Sequence, residues 1–205
     1  MTVNGRLISD PAALVVPERS RIAIDGELRE RQAWRAIAFH KPRGIVTTRS
    51  DPDGRQTVFD LLGDAGRGLV AVGRLDLATS GLLLLTTDTQ LANWIADPSN
   101  RIPRVYVVTI RGRIEASQAS QLPAHTVTVR KASGRESHLI VELREGRNRE
   151  VRRLFEAAGH EVTRLKRVRL GGLELHNLEP GAWRDVPRDE VARAFPGARI
   201  ADRQS

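Results

Sequence analysis

In the stretch Gly73-Arg74-Leu75-Asp76-Leu77-Ala78-Thr79-Ser80-Gly81-Leu82-Leu83-Leu84-Leu85-Thr86, one carboxylate, Asp76, stands next to Leu75 and shortly before four consecutive leucines. A short apolar run bounded by turn residues predicts a strand buried on both faces. A carboxylate at the mouth of such a core must be paired or used, because desolvating it unpaired is costly. Used, it is a nucleophile or a general base; the plainer alternative is an Asp that ends a turn, bonded to a backbone N–H two residues on. Two other features bear on chemistry. Tyr106, the only tyrosine of the chain, sits in the apolar run Arg104-Val105-Tyr106-Val107-Val108-Thr109-Ile110, where a tyrosine is ordinarily core with its hydroxyl satisfied at the rim. Between Arg144 and Arg169 nine basic residues face four acidic ones. Within that run Val151, Leu154, Phe155 and Ala158 form a helical apolar stripe, leaving Arg149, Arg152 and Arg153 near its margins or exposed, the usual disposition of a solvated face.

The elements that would position these residues read as strands interleaved with short helices. Trp34 to His40 is strand-like, Lys41-Pro42-Arg43-Gly44 forces a turn, and Ile45 to Thr48 resumes the strand. Val58 to Leu62 fits one helical turn. Thr87 or Asp88 caps a helix carrying Leu91, Trp94 and Ile95 and ending before Pro98. Residues 104–110 form a β-branched strand, 115–122 a short helix, and Val127–Lys131 and His138–Leu143 antiparallel strands. A helix then ends at Gly159, followed by a basic strand from Thr163 to Leu170, and a tail with Trp183 and a helix over 188–194 closes the sheet. Gly66-Arg67-Gly68-Leu69-Val70-Ala71 matches the dinucleotide fingerprint only nominally, since its glycines precede a strand and open no helix. Asp51-Pro52-Asp53-Gly54 lacks the further ligands of a calcium loop and reads as a turn.

The chain of 205 residues carries a net charge of +8 and no cysteine. Absence of thiols rules out disulfides, thiolate metal sites and cysteine catalysis, and suits a reducing cytosol. The five histidines lack metal-ligand spacing. No apolar stretch is long enough to span a bilayer and no signal peptide is evident, so a soluble, cytoplasmic protein is expected. The positive charge favours an anionic partner, nucleic acid first. With few aromatics, contacts to the phosphate backbone would supply most of the affinity.

GRLDLATSGLLLLT resembles the catalytic motif of pseudouridine synthases, specifically the ribosomal RNA branch typified by RsuA. The resemblance extends over roughly residues 34–190: the KPxG turn at Lys41, a Lys-x-Tyr that here reads Arg104-Val105-Tyr106, and the EGRNRQVRRM segment, which here has Glu150 in place of Gln. It implies an α+β pseudouridine synthase fold, a mostly antiparallel mixed β-sheet with flanking helices and a central catalytic cleft, over residues 31–205. Residues 1–30 resemble the second half of a small S-four-like RNA-binding module, two short strands around a Pro-containing connector. The helical first half is missing, which leads to the expectation of a chain shortened at its start and a weakly anchored flap.

The resemblance also implies roles. Asp76 is the catalytic carboxylate, Tyr106 packs on the target base and assists proton transfer, and Arg152 pairs with Asp76. Arg74, Thr79, Arg104, Arg147, Arg149 and Leu165 form the substrate and RNA-binding set, with Arg74 a candidate to fill the place of a flipped-out nucleotide and Leu165 packed under the base. No metal and no cofactor are implied. The expected activity is site-specific uridine-to-pseudouridine isomerisation in ribosomal RNA by a monomer. The rivals are a non-catalytic RNA-binding or ribosome-assembly protein on the same scaffold, and a synthase acting on transfer RNA.

Overall fold

The structure, a computed structural model, describes residues 1–10, 12–15, 20–28 and 33–200, and the chain divides into two compact units, 1–33 and 34–205. In the first, β1 (Thr2–Val3), β2 (Arg6–Leu7), β3 (Ile22–Ile24) and β4 (Glu27–Leu28) make an antiparallel sheet ordered β2-β1-β3-β4. Asn4-Gly5 and Asp25-Gly26 all have positive φ, the conformation that two-residue hairpin turns require. Each expected strand of this segment is therefore a tight hairpin. Part of the Pro-containing connector lies outside the described residues.

The second unit is α+β. Its main sheet runs β13 (Trp183–Asp185), β5 (Ala36–Lys41), β7 (Ser80–Thr86), β11 (Val162–Leu170), β8 (Arg104–Arg111), β10 (Glu136–Leu143), β9 (Thr126–Ala132). β6 (Val70–Ala71) pairs with β7, and β12 (Leu173–Glu174) pairs with β11. Every pairing is antiparallel except β7 with β11, which are joined only through Ser80 opposite Lys166 and Gly81 opposite Arg167. Two antiparallel halves thus meet at one short parallel seam.

The four leucines explain why β7 is central. Strand alternation sends Leu83 and Leu85 to one face of the sheet with Ile37, Phe39, Tyr106, Val108 and Phe155, and Leu82 and Leu84 to the other with Ala36, Ala38, Leu91, Ile95 and Phe195. Both faces are covered by helix. α4 (Glu150–Ala157) contributes Val151, Leu154 and Phe155 to the first; α2 (Thr89–Ala96), capped by the Asp88 carboxylate, and α5 (Arg188–Ala194) cover the second. Burying each leucine contributes about 1.5–3 kcal/mol, so β7 anchors both cores. α1 (Val58–Leu62) begins at a capping box of Thr57 and Asp60, and α3 (Ala116–Ser120) lies between β8 and β9.

Two expectations are corrected. Ile45 to Thr48 does not resume a strand; only an isolated bridge joins Val46 to Thr57, because Gly44 turns the chain with φ 81° and the polar groups that follow bond a different segment, described below. Arg152 is not on the exposed margin of its helix but buried, 9% exposed.

Gly81 is where the seam is tightest. With φ +112° its backbone passes so close to β11 that a Cβ would fall 2.1 Å from the Arg167 carbonyl oxygen. Gly81→Ala must push the two halves apart, and is expected to destabilise the protein by about 3 kcal/mol, lowering Tm on the order of 10 °C. A thermal melt checks this, and an unchanged Tm would show that the seam has slack.

Candidate active site

The segment Leu75–Thr79 crosses the end of the seam just before β7 begins, and its backbone carbonyls find partners in distant parts of the chain. Thr47 Oγ1 donates to Leu75 O at 2.9 Å. Lys41 Nζ donates to Asp76 O at 3.2 Å and Thr79 O at 2.8 Å. Gly44 N–H donates to Leu77 O at 2.8 Å, and Arg152 Nη2 donates to Ala78 O at 3.2 Å. Thr47 Oγ1 also accepts from the Leu75 N–H at 3.3 Å, and the Thr79 N–H donates to Asp76 O at 2.9 Å, closing a turn. The loop is held from Leu75 through Thr79 while the Asp76 side chain, half-buried, takes part in lining a cleft.

That cleft, of about 280 Å³, brings together Arg74, Asp76, Thr79, Arg104, Tyr106, Arg147, Arg149 and Leu165 from four separate stretches of sequence. Leu75, Leu165 and Tyr106 give it apolar walls, each nearly buried. Tyr106 on β8 faces Arg167 across the β8–β11 pairing, with Leu165 opposite Val108 two rungs away. Arg147 and Arg149 come from the loop preceding α4. Glu150 fixes this loop by accepting the Arg147 N–H at 2.8 Å, and Arg149 holds a left-handed conformation, φ 51°, at the helix start. Arg74 is exposed at the rim. Thr79 is buried, and its hydroxyl has no hydrogen-bond partner.

Arg152 lies behind the loop, outside the cleft lining, and does not form the direct ion pair expected with Asp76. Its guanidinium is committed to two carbonyls, Ala78 and, at 2.9 Å, Val162 at the start of β11; among the described residues none is ion-paired to the Asp76 carboxylate. The coupling to Asp76 is through space. Burial pulls the Arg152 pKa below its ordinary value, the nearby Arg149 and Arg43 add to the drop, and Asp76 opposes it.

The sequence reading missed Lys41. It ends β5 with 0% exposure, its ammonium donating to the carbonyls of Pro42, Asp76 and Thr79. Burial lowers its pKa from 10.5 to about 8, against the attraction of Asp76. A lysine closing a run of buried strand residues, immediately before Pro, was the available signal. Arg167 was passed over as well. Only 3% exposed, it donates from Nε to Leu82 O at 2.8 Å, while its Nη2 is buried without a partner. Beside it in the cleft floor Arg104 is tied to Ile102 O at 2.8 Å and Ile95 O at 3.2 Å. Burial lowers the Arg104 pKa, Tyr106 opposes this, Arg167 adds to it and Glu150 opposes it. Neither guanidinium has a carboxylate partner among the described residues, and buried cations without one favour an anionic guest. Among the described residues no group of three or more His, Asp or Glu side chains could hold a metal ion.

A family model described as RNA pseudouridylate synthase matches residues 35–157. The ribosomal large subunit pseudouridine synthase B of Yersinia pestis is 41% identical over 204 residues, covering 91% of this chain and 64% of that protein. The protein of the same name from Salmonella typhi is 40% identical, covering 91% of this chain and 70% of its own length. This chain therefore spans less than two thirds of the Yersinia protein. An uncharacterized RNA pseudouridine synthase of Aquifex aeolicus is 33% identical, with 94% and 82% covered. Among solved structures, one described as the crystal structure of pseudouridylate synthase superposes with a TM-score of 0.69 at 25% identity, covering 94% of this chain and 87% of that one.

Lys41 gives this site a pH dependence whose sign can be worked out. Between about pH 8 and 10.5 the folded chain has lost the Lys41 proton and the unfolded chain has not, so this group makes the fold more stable as pH rises through that window. The deprotonated amine grips the loop carbonyls with one donor fewer. Turnover is therefore expected to fall as pH rises through about 8 with no loss of Tm attributable to Lys41. Lys41→Met should lower kcat about 100-fold, the scale of a misplaced reacting group. A pH–rate profile run beside thermal melts checks both expectations, and a profile flat through that pH would contradict them.

Proposed function

This chain belongs to the RNA pseudouridylate synthase family, and on that premise we propose that it converts a specific uridine of ribosomal RNA to pseudouridine, with Asp76 as the reacting carboxylate. The reading is supported most directly by one observation: the Leu75–Thr79 backbone is tied down while the Asp76 carboxylate, which has no ion pair among the described residues, borders an apolar-walled cleft floored by two buried guanidiniums. The relatives named for the large ribosomal subunit, at 40–41% identity, point to RNA of that subunit as the substrate.

In this reaction the bond between ribose C1′ and uracil N1 breaks, the base turns, and a C1′–C5 bond forms; the proton on C5 is lost and N1 gains one, so that product and substrate are isomers. Asp76 either attacks C1′ or removes a ribose proton. A single carboxylate suffices because the departing uracil leaves as an anion and needs no acid of the kind a glycosidase uses. Arg104 and Arg167 place positive charge where that anion, or a phosphate of the ribose it has left, would lie. Tyr106 and Leu165, side by side on one sheet face, pack against the base and keep water from the ribosyl intermediate, and Tyr106 assists removal of the C5 proton. A stacked nucleotide is out of reach of this cleft, so the uridine must be flipped out. Arg74 at the rim occupies the vacated place, and Arg147 and Arg149 hold the flanking phosphates.

Asp76→Asn keeps the shape of the side chain and removes its charge and nucleophilicity. With unmodified large-subunit ribosomal RNA carrying tritium at uridine C5, the variant is expected to release tritium on the order of 1,000-fold more slowly than the unaltered chain or worse, while RNA affinity stays within about twofold. Tritium release near the unaltered rate would remove Asp76 from the chemistry.

A further inference from the structure

A second cleft, of about 830 Å³, adjoins the first and shares Leu143, Arg147 and Glu150 with it. It runs between the segment preceding β9 and the outer side of α4. Leu122, Ala124, Leu154 and Ala157 give it an apolar bed, and Arg101, Arg144 and Arg153 ring it together with Arg147. Its two carboxylates are already engaged: Glu145 pairs with Arg147 Nε at 2.7 Å, and Glu150 accepts the Arg147 N–H. Arg144 is steadied by Glu142 at 3.5 Å, which also holds Arg169 at 3.1 Å. Arg101 and Arg153 are exposed and ion-paired to nothing among the described residues.

We propose that this second cleft is an RNA subsite that takes an unstacked nucleotide adjacent to the target uridine. The proposal rests on the reading of RNA as the substrate of the first cleft. An apolar bed with a guanidinium rim suits a splayed-out base, whose face needs apolar or planar cationic contact and whose phosphate needs positive charge. Continuity fixes which nucleotide it is. A strand that leaves its uridine in the first cleft over Arg147 and Glu150, which line both clefts, enters this one next. A folded protein partner would need a broad apolar surface, whereas the apolar bed here is four side chains rimmed by four arginines.

The test uses the full chain and an unmodified large-subunit ribosomal RNA transcript. A photo-reactive p-benzoylphenylalanine is placed at Ala157 in the second cleft and, in a separate protein, at Asn148 on the wall of the first. The crosslinked nucleotides are mapped, and pseudouridine is mapped in the same RNA after treatment with the unaltered chain. Crosslinks from the two positions on immediately neighbouring nucleotides support the proposal. No RNA crosslink from position 157, a crosslink to a remote strand, or a crosslink only to another copy of the protein overturns it. Neighbouring crosslinks with no pseudouridine formed sink the catalytic reading and leave the subsite standing; pseudouridine with no crosslink from 157 does the reverse. In parallel, Arg153→Ala is expected to raise KM about fivefold and reduce the salt slope of binding by about 1 with kcat unchanged. An unchanged KM and salt slope count against the subsite.

Discussion

The carbonyl oxygens of Leu75, Asp76, Leu77, Ala78 and Thr79 are bonded by Thr47, Lys41, Gly44 and Arg152. A loop that must point a carboxylate into an apolar cleft would ordinarily wander, since fixing each residue's backbone costs on the order of 1–2 kcal/mol. Here donors from three separate places meet that cost: the end of β5 and the turn after it, Thr47 further along the same connection, and the buried helix α4. The two buried cations among these donors, Lys41 and Arg152, are expensive to desolvate. They are retained beside a carboxylate whose attraction opposes the fall in their own pKa values.

The rest of the second unit follows from the need to bring those donors to one point. Lys41 closes β5, the loop leads into β7, and Arg152 bonds both the loop and Val162 at the start of β11. β5, β7 and β11 are consecutive across the sheet, so their ends converge where the two antiparallel halves meet. Gly81 lets the seam close, and the four leucines of β7 pin it from both faces. The cleft then opens beside the seam, with Tyr106 and Leu165 projecting from neighbouring strands of the other half.

Much of this was legible in the order of residues. The alternation within the leucine run, the Asp88 cap, the β-branched run at Tyr106 and the stripe Val151, Leu154, Phe155 give the elements, and the likeness of GRLD to a known catalytic motif picks out Asp76. Three things were hidden, each for a physical reason. Local pattern makes Ile45–Thr48 a strand, but the Thr47 hydroxyl is spent on Leu75 and the Val46 backbone on Gln56 and Val58, a tertiary override that propensity cannot register. Arg152, within a run of arginines, reads as solvent-facing, yet its turn of helix points at an unsatisfied carbonyl. Lys41 sits beside a proline that draws attention to the turn, while its function lies in the length of its side chain, which crosses to carbonyls of a strand partner's loop. The opposite charge that motif logic pairs directly with Asp76 is bonded instead to the main chain two residues away.

Lys41 and its neighbours hold the Asp76 loop rigid by its backbone. Amide hydrogen exchange at Gly44 and Thr79, whose N–H groups donate to Leu77 O and Asp76 O, measures this directly. Both amides should exchange slowly in the unaltered chain. In Lys41→Met they should exchange far faster, while amides of β7 and β8 keep their protection. Fast exchange at Gly44 and Thr79 in the unaltered chain, or slow exchange that survives the loss of the ammonium, would contradict the account.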